Sequence, residues 1–208
     1  DAETKEMLLE KVGKMSAKAL RVIGFAYKIE DENSTECELT FTGLLGLMDP
    51  PKKDSEKAVK DCLDAGIKVI MITGDHEKTA CSIARQLGIL TTGRTITGKE
   101  LESLSHEEYL KAADDIQVYA RVKPSQKMTI VETLKELGNI VAMTGDGVND
   151  APALKKASIG VAMGDGTDVA KEASDMIVQN NDFTTIVRAV EGGRKIYDNI
   201  KRFVKFQV

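Results

Sequence analysis

Short, nearly uniformly apolar runs alternate along this chain with longer stretches in which apolar residues recur every three or four positions. The apolar runs are residues 67–73 (IKVIMIT), 117–120, 140–144, 158–162 and 176–178. They have strand length, and uniform apolarity marks strands covered on both faces. The spacing predicts helices over 54–65 and 77–87, two short ones between 99 and 113, one from Pro124, and short ones near 151–156 and 169–173. The 77–87 helix carries the stripe Ala80, Ile83, Ala84 and Leu87, and the Pro124 helix carries Ile130, Val131, Leu134 and Leu137. Gly66, Gly88 and Gly138 stand where the three longer helices must stop, and Pro124 suits a first helical turn. Strand and helix in alternation predict parallel β-α-β units with right-handed crossovers. The expected fold is therefore α/β, a Rossmann-like parallel sheet with helices on both faces and a ligand site beyond the carboxyl ends of its strands.

The two ends of the chain read differently. A helix is expected over 6–19, a buried strand over 20–27 (LRVIGFAY), a polar loop over 30–38 and a β-rich run over 38–49 (ELTFTGLLGLMD). Asp49-Pro50-Pro51 then interrupts the chain, because two prolines continue neither a strand ladder nor a helix interior. At the other end, residues 182–206 read as one helix about 38 Å long. Ile196, Ile200, Phe203 and Val204 share one face of it, and Gly192-Gly193 weakens it. These breaks divide the chain into residues 1–48, 49–181 and 182–208.

Composition narrows the functional classes. The chain has 208 residues, 42% hydrophobic and 30% charged, which is globular and large enough for a real core. A net charge of −4, no Trp and 4% aromatic residues give no footprint for nucleic acid. Cys37, Cys62 and Cys81 form no CxxC pair and read as reduced thiols. Two histidines exclude a His-rich metal site. No run of about 18 apolar residues is present to span a bilayer. The mixed charges after Asp1 show no signal peptide, and a chain opening without Met suggests an excised segment.

The chemistry concentrates at two strand ends with the same tripeptide. Residues 67–73 lead into Thr73-Gly74-Asp75, and residues 140–144 into Thr144-Gly145-Asp146-Gly147-Val148-Asn149-Asp150. Threonine offers a hydroxyl donor, glycine lets the backbone approach a ligand, and aspartate carries charge. Asp146 and Asp150, with Asn149 between them, are hard oxygen ligands of the kind that suit Mg2+. The same spacing also suits an Asx-rich turn capping the helix at Ala151, with Pro152 near its start.

Three long strings extend this picture. Residues 143–176 (MTGDGVNDAPALKKASIGVAMGDGTDVAKEASDM) strongly resemble the hinge motif of P-type cation-transporting ATPases, and through it the haloacid dehalogenase superfamily. Residues 49–80 (DPPKKDSEKAVKDCLDAGIKVIMITGDHEKTA) resemble the family's hinge and the second superfamily motif, and residues 120–134 (ARVKPSQKMTIVETL) the segment with the superfamily lysine. The likeness runs in order from about Leu20 onward and is strongest to type II pumps, the bacterial-style calcium pumps first. It implies a haloacid dehalogenase-like sheet, preceded by the end of a nucleotide-binding domain and followed by a stalk helix leading to a membrane span. The cofactors it implies are Mg2+ and ATP. Asp146 would bind Mg2+, with Asp150 and Asn149 completing the polar shell and Asp150 a further metal ligand. Thr73 and Gly74 would hold phosphoryl oxygens, Asp75 would hold the loop, and Lys127 would neutralise phosphoryl charge. Arg121 and Arg21 would contact the nucleotide. Lys201, Arg202 and Lys205 would lie on the cytoplasmic side of a span. The parent protein would be a multi-pass membrane pump.

Some family strings are missing. Lys52 stands after the two prolines where the family usually has arginine, which loses the bidentate fork. No DKTGT acceptor string, TGE loop or KGA string occurs in these residues. The expected partners are therefore the acceptor-strand, actuator and membrane regions of the pump, together with ATP and a cation bound elsewhere, with no nucleic acid. The chain alone is expected to be inactive. It is also expected to be unstable, since the family's acceptor strand lies between the strands ending at Thr73 and Thr144. The alternatives are a stand-alone nucleotide- or Mg2+-binding or regulatory module, and a soluble phosphatase, which would need a DxDxT motif that these residues lack.

Overall fold

A computed structural model describes residues 2–18, 20–28, 39–48, 51–52 and 54–207. The expected polar loop over 30–38, Cys37 and the Asp49-Pro50 break lie outside the described residues. Helix α1 (Ala2–Ser16) packs on strand β1 (Arg21–Tyr27), which pairs antiparallel with β2 (Thr40–Leu47). This ribbon carries exposed Phe25, Tyr27, Phe41 and Leu45.

The α/β part comes next. Helix α2 (Ser55–Asp64) buries Ala58, Val59 and Cys62. Burial pushes the Cys62 thiol up, with Asp61 adding to it, which leaves this cysteine a packing residue. Strand β3 (Met71–Ile72) and helix α3 (Glu77–Gln86) succeed it, then β4 (Arg94–Thr97), α4 (Gly98–Ser103), α5 (His106–Ala112) and β5 (Ile116–Ala120). Helix α6 (Pro124–Glu136), β6 (Ala142–Gly145), α7 (Ala151–Lys156), β7 (Ile159–Met163), α8 (Asp168–Glu172) and β8 (Met176–Val178) lead to α9 (Phe183–Gln207). Gly66, Gly88 and Gly138 all have positive φ, at 76°, 73° and 85°, so each ends its helix by the left-handed turn that glycine makes without strain.

All pairings in this part are parallel, and they form two three-stranded sheets, ordered β3-β5-β4 and β6-β7-β8. Strands β3 and β6 are the edges of these two sheets. Strand β3 is shorter than the 67–73 run predicts, because only Val118 and Tyr119 of β5 stand opposite it, facing Met71 and Ile72. Strand β4 is an addition to the expected elements. Its four residues place one buried hydrophobe, Ile96, beside β5.

Packing ties the halves together. Strand β5 is buried on both faces, as a central parallel strand should be. Ile116 and Tyr119 join Ile96, Tyr109, Ile130 and Leu134 in one cluster, while Val118 and Ala120 join Val59, Ala80 and Ala84 in another. Helix α6 bridges the sheets. Its Ile130 and Leu134 enter the first cluster, and its Val131 packs with Met143 and Leu154 beside β6. Each of these buried side chains contributes about 1.5–3 kcal/mol. Ile72 and Val141 touch both clusters. Tyr109 donates its hydroxyl hydrogen to the Tyr119 hydroxyl at 3.0 Å, and burial pushes both phenols up, Tyr119 the further.

Helix α9 buries Ile186 near its start and leaves Ile196, Ile200, Phe203 and Val204 exposed. Among the described residues no helix is long and apolar enough to cross a membrane.

Candidate functional site

The carboxyl ends of β3, β5 and β6 carry the residues that the sequence singles out. After β3, the Thr73 amide donates to the Tyr119 carbonyl at 2.9 Å, and the Thr73 carbonyl accepts from the Val122 amide at 3.1 Å. The Thr73 hydroxyl oxygen accepts from the Asp75 amide at 3.1 Å, a local turn that holds the loop open. Gly74 is exposed, and a Cβ built on it meets nothing within 4 Å. The Arg121 amide donates to the Asp75 carbonyl at 3.0 Å, so the loops after β3 and β5 are stitched together.

Arg121 has φ 50°, in the left-handed region that a non-glycine residue rarely adopts. A neighbour that sequence reasoning missed supports this turn. Buried Gln126 donates from Nε2 to the Gly98 carbonyl at 2.6 Å and accepts from the Lys123 amide at 2.8 Å. A Cβ on Gly98 would lie 2.5 Å from the Arg121 carbonyl oxygen. The signal was present in the sequence as a glutamine in the first turn of a proline-started helix.

After β6 the loop is tighter. Asp150 is 7% exposed and accepts through Oδ2 from the Gly147 amide at 3.1 Å and the Asp146 amide at 3.4 Å. Its Oδ1 meets Lys127 Nζ at 2.5 Å, with both side chains mostly buried. Helix α6 thus reaches from the end of β5 across to the β6 loop and places a charge-assisted contact between them. A Cβ on Gly145 would lie 2.5 Å from the Asp150 Cβ, so only glycine admits this carboxylate. The Thr167 amide donates to the Asp146 carbonyl at 2.8 Å. Asp146 itself is exposed, and among the described residues no hydrogen-bond partner engages its carboxylate. Asn149 is exposed in the short 3-10 turn that precedes α7.

The structure therefore brings Lys127, Asp146 and Asp150 together, and ties Thr73 to Tyr119 and Val122 and Asp75 to Arg121. Arg21 belongs to a different sheet, exposed on β1 in the antiparallel ribbon. Among the described residues no cluster of three or more His, Cys, Asp or Glu stands ready as a metal cage. An Mg2+ ion needs none, since one or two carboxylates with water and phosphate hold it. The free Asp146 carboxylate, on a loop whose backbone is pinned from two sides, fits that requirement.

A mostly buried lysine–aspartate pair and a free carboxylate thus stand together at the strand ends of the parallel α/β part. The chain belongs to the haloacid dehalogenase-like hydrolase family, which it matches over residues 5–158. It is 46% identical over 99% of its length to a calcium-transporting ATPase of Bacillus subtilis, covering 24% of that protein. It is 48% identical over 88% of its length to the endoplasmic reticulum calcium ATPase srcA of Aspergillus fumigatus, covering 19% of that protein. The crystal structure of a zinc-transporting PIB-type ATPase in its E2.Pi state matches with a TM-score of 0.67 and 25% identity, over 95% of this chain and 26% of that one. The chain thus spans about a quarter, or less, of the relatives that it matches.

Proposed function

We propose that this chain forms the Mg2+ and phosphoryl site of an ATP-driven cation pump, of the kind that moves Ca2+. The observation that carries this reading is the Lys127–Asp150 pair, held beside the free Asp146 carboxylate at the carboxyl ends of parallel strands. Phosphoryl transfer requires positioning and charge stabilisation more than covalent chemistry from the protein, and this loop supplies both. Asp146 is the direct Mg2+ ligand. Asp150 has both oxygens engaged and acts behind it, orienting Lys127 and closing the 145–150 turn.

The bound Mg2+ would neutralise charge on the phosphoryl oxygens. Thr73 and the open Gly74 receive those oxygens, and Asp75 keeps their loop on the Arg121 turn. Lys127 adds a fixed positive charge in a mostly buried setting, where it is screened less than at the surface. Arg121 and Arg21 contact the nucleotide. The division at 1–48, 49–181 and 182–208 accords with the same reading: the end of a nucleotide-binding domain, a phosphorylation domain and a stalk helix on the cytoplasmic side. The acceptor aspartate then comes from elsewhere in the pump, and these 208 residues alone are inactive.

The test uses the intact protein in sealed vesicles. Parent protein is expected to show Mg2+-dependent ATP hydrolysis stimulated by Ca2+, with ATP-driven Ca2+ uptake. Asp146→Asn and Lys127→Met should each lower both by about 100-fold or more. Uptake that survives both substitutions would overturn the site. Hydrolysis in the parent without any response to Ca2+ would sink the calcium assignment.

A further inference from the structure

The root of α9 is built on an unusual residue. Asn181 has φ 52°, a left-handed conformation that asparagine tolerates better than most residues. It turns the chain from β8 toward α9, where Asp182 accepts from the Thr184 amide at 2.9 Å. The Asn181 carbonyl accepts from Lys52 Nζ at 2.6 Å, and its side-chain Oδ1 accepts from the Asp165 amide at 3.0 Å. Asp165 lies in the turn after β7. The Gly164 amide of that turn donates to the Val178 carbonyl at 2.9 Å, and a Cβ on Gly164 would lie 2.7 Å from the Gln179 carbonyl oxygen.

The far side of the turn touches the site. A Cβ on Gly166 would lie 3.0 Å from the Asp146 carbonyl oxygen and 3.1 Å from its Cα. The Thr167 amide donates to that same carbonyl at 2.8 Å. A continuous series of short contacts therefore runs from Asn181 through residues 164–167 to the backbone of Asp146. Farther along α9, near its middle, Arg194 Nη2 donates to the Ala65 carbonyl at the end of α2 at 3.0 Å. A root anchored at several points is a firm support for the turn.

We propose that Asn181 is a positioning residue. Its side-chain oxygen holds the 164–167 turn against the root of α9, and the turn in turn sets where the Asp146 carboxylate stands. This rests on the reading of Asp146 as the Mg2+ ligand.

Two substitutions in the intact protein separate this role from a purely conformational one. Asn181→Gly keeps the left-handed backbone and removes the acceptor. Asn181→Asp keeps an acceptor oxygen and tolerates the same φ. In Asn181→Gly without Mg2+, amide exchange at residues 165–167 should rise about tenfold, since a lost hydrogen bond of about 1.4 kcal/mol corresponds to that factor. The Mg2+ concentration for half-maximal ATP hydrolysis should rise several-fold, while the rate at saturating Mg2+ stays within about twofold of the parent. Asn181→Asp should restore both. An Asn181→Gly protein that matches the parent in exchange and in Mg2+ dependence overturns the proposal, and so does faster exchange with unchanged Mg2+ dependence. Asp146→Asn serves as the control: if it leaves Mg2+ dependence unchanged, the ligand reading has failed, and the exchange data alone then decide whether Asn181 holds the turn.

Discussion

The two Thr-Gly-Asp tripeptides are identical as strings and opposite as structures. After β3, Gly74 faces open space, and the loop is held by its own threonine and by the Arg121 amide. After β6, Gly145 is pressed against Asp150, and Asp146 is fixed through its backbone by Asp150 and Thr167. One glycine leaves room for something that is not protein. The other has already given its room to a carboxylate. The residues just beyond each aspartate make the difference. His76 starts α3 directly, whereas Gly147-Val148-Asn149 turns the chain back so that Asp150 caps its own loop.

Substitutions can break this contrast. The largest effect is expected from Asp150→Ala, which strands the Lys127 ammonium in a mostly buried position and costs about 3–5 kcal/mol. Thermal denaturation of the protein reads that loss, and a change below about 1 kcal/mol would mean the pair is far more hydrated than its burial indicates. Next is Gly145→Ala, whose methyl must displace Asp150, at about 1–3 kcal/mol. Its counterpart Gly74→Ala should change stability by less than about 0.5 kcal/mol, yet lower ATP hydrolysis at least tenfold if a phosphoryl group uses that opening. Equal stability losses for the two glycine variants would erase the contrast.

The smallest effect comes from acid. The Thr184 hydroxyl and amide hold the Asp182 carboxyl below the usual carboxylate range. A lowered value in the folded state means that the cap's contribution is present above the ordinary aspartate range, about 3.9, and is lost as pH falls through the lowered value. The protection of the first-turn amides of α9 relative to an unstructured chain, followed downward in pH, should fall only there. The 145–150 loop should loosen with it, and the Thr73–Asp75 loop should not.

Much of this was legible in the sequence because it depends on local periodicity. Helix α6 declares itself through Pro124, the Ile130–Leu134 stripe and Gly138, and α3 through Ala80, Ala84 and Gly88. Strand extents were less legible, because a ladder belongs to two segments at once. Strand β3 shrinks to Met71 and Ile72, the two residues paired with Val118 and Tyr119, and β4 forms from residues 94–97 with only Ile96 to bury. The site residues were found as strings. Their grouping was not, since a separation of 23 residues between Lys127 and Asp150 gives no sign that the two meet. Asn181 gave the weakest signal, an asparagine in a polar run before a helix, and its part emerges only once Asp165 is seen beside it.

The split sheet bears on how the chain acquires its structure. Residues 71–120 supply all of one half-sheet and residues 142–178 all of the other, so every parallel pairing is completed within one contiguous stretch. Each stretch closes its loops without waiting for the other, which keeps the entropic barrier to either half low. The halves should then gain protection as two separate cooperative units, with α6 joining them, since its Ile130 and Leu134 pack in one half and its Val131 in the other.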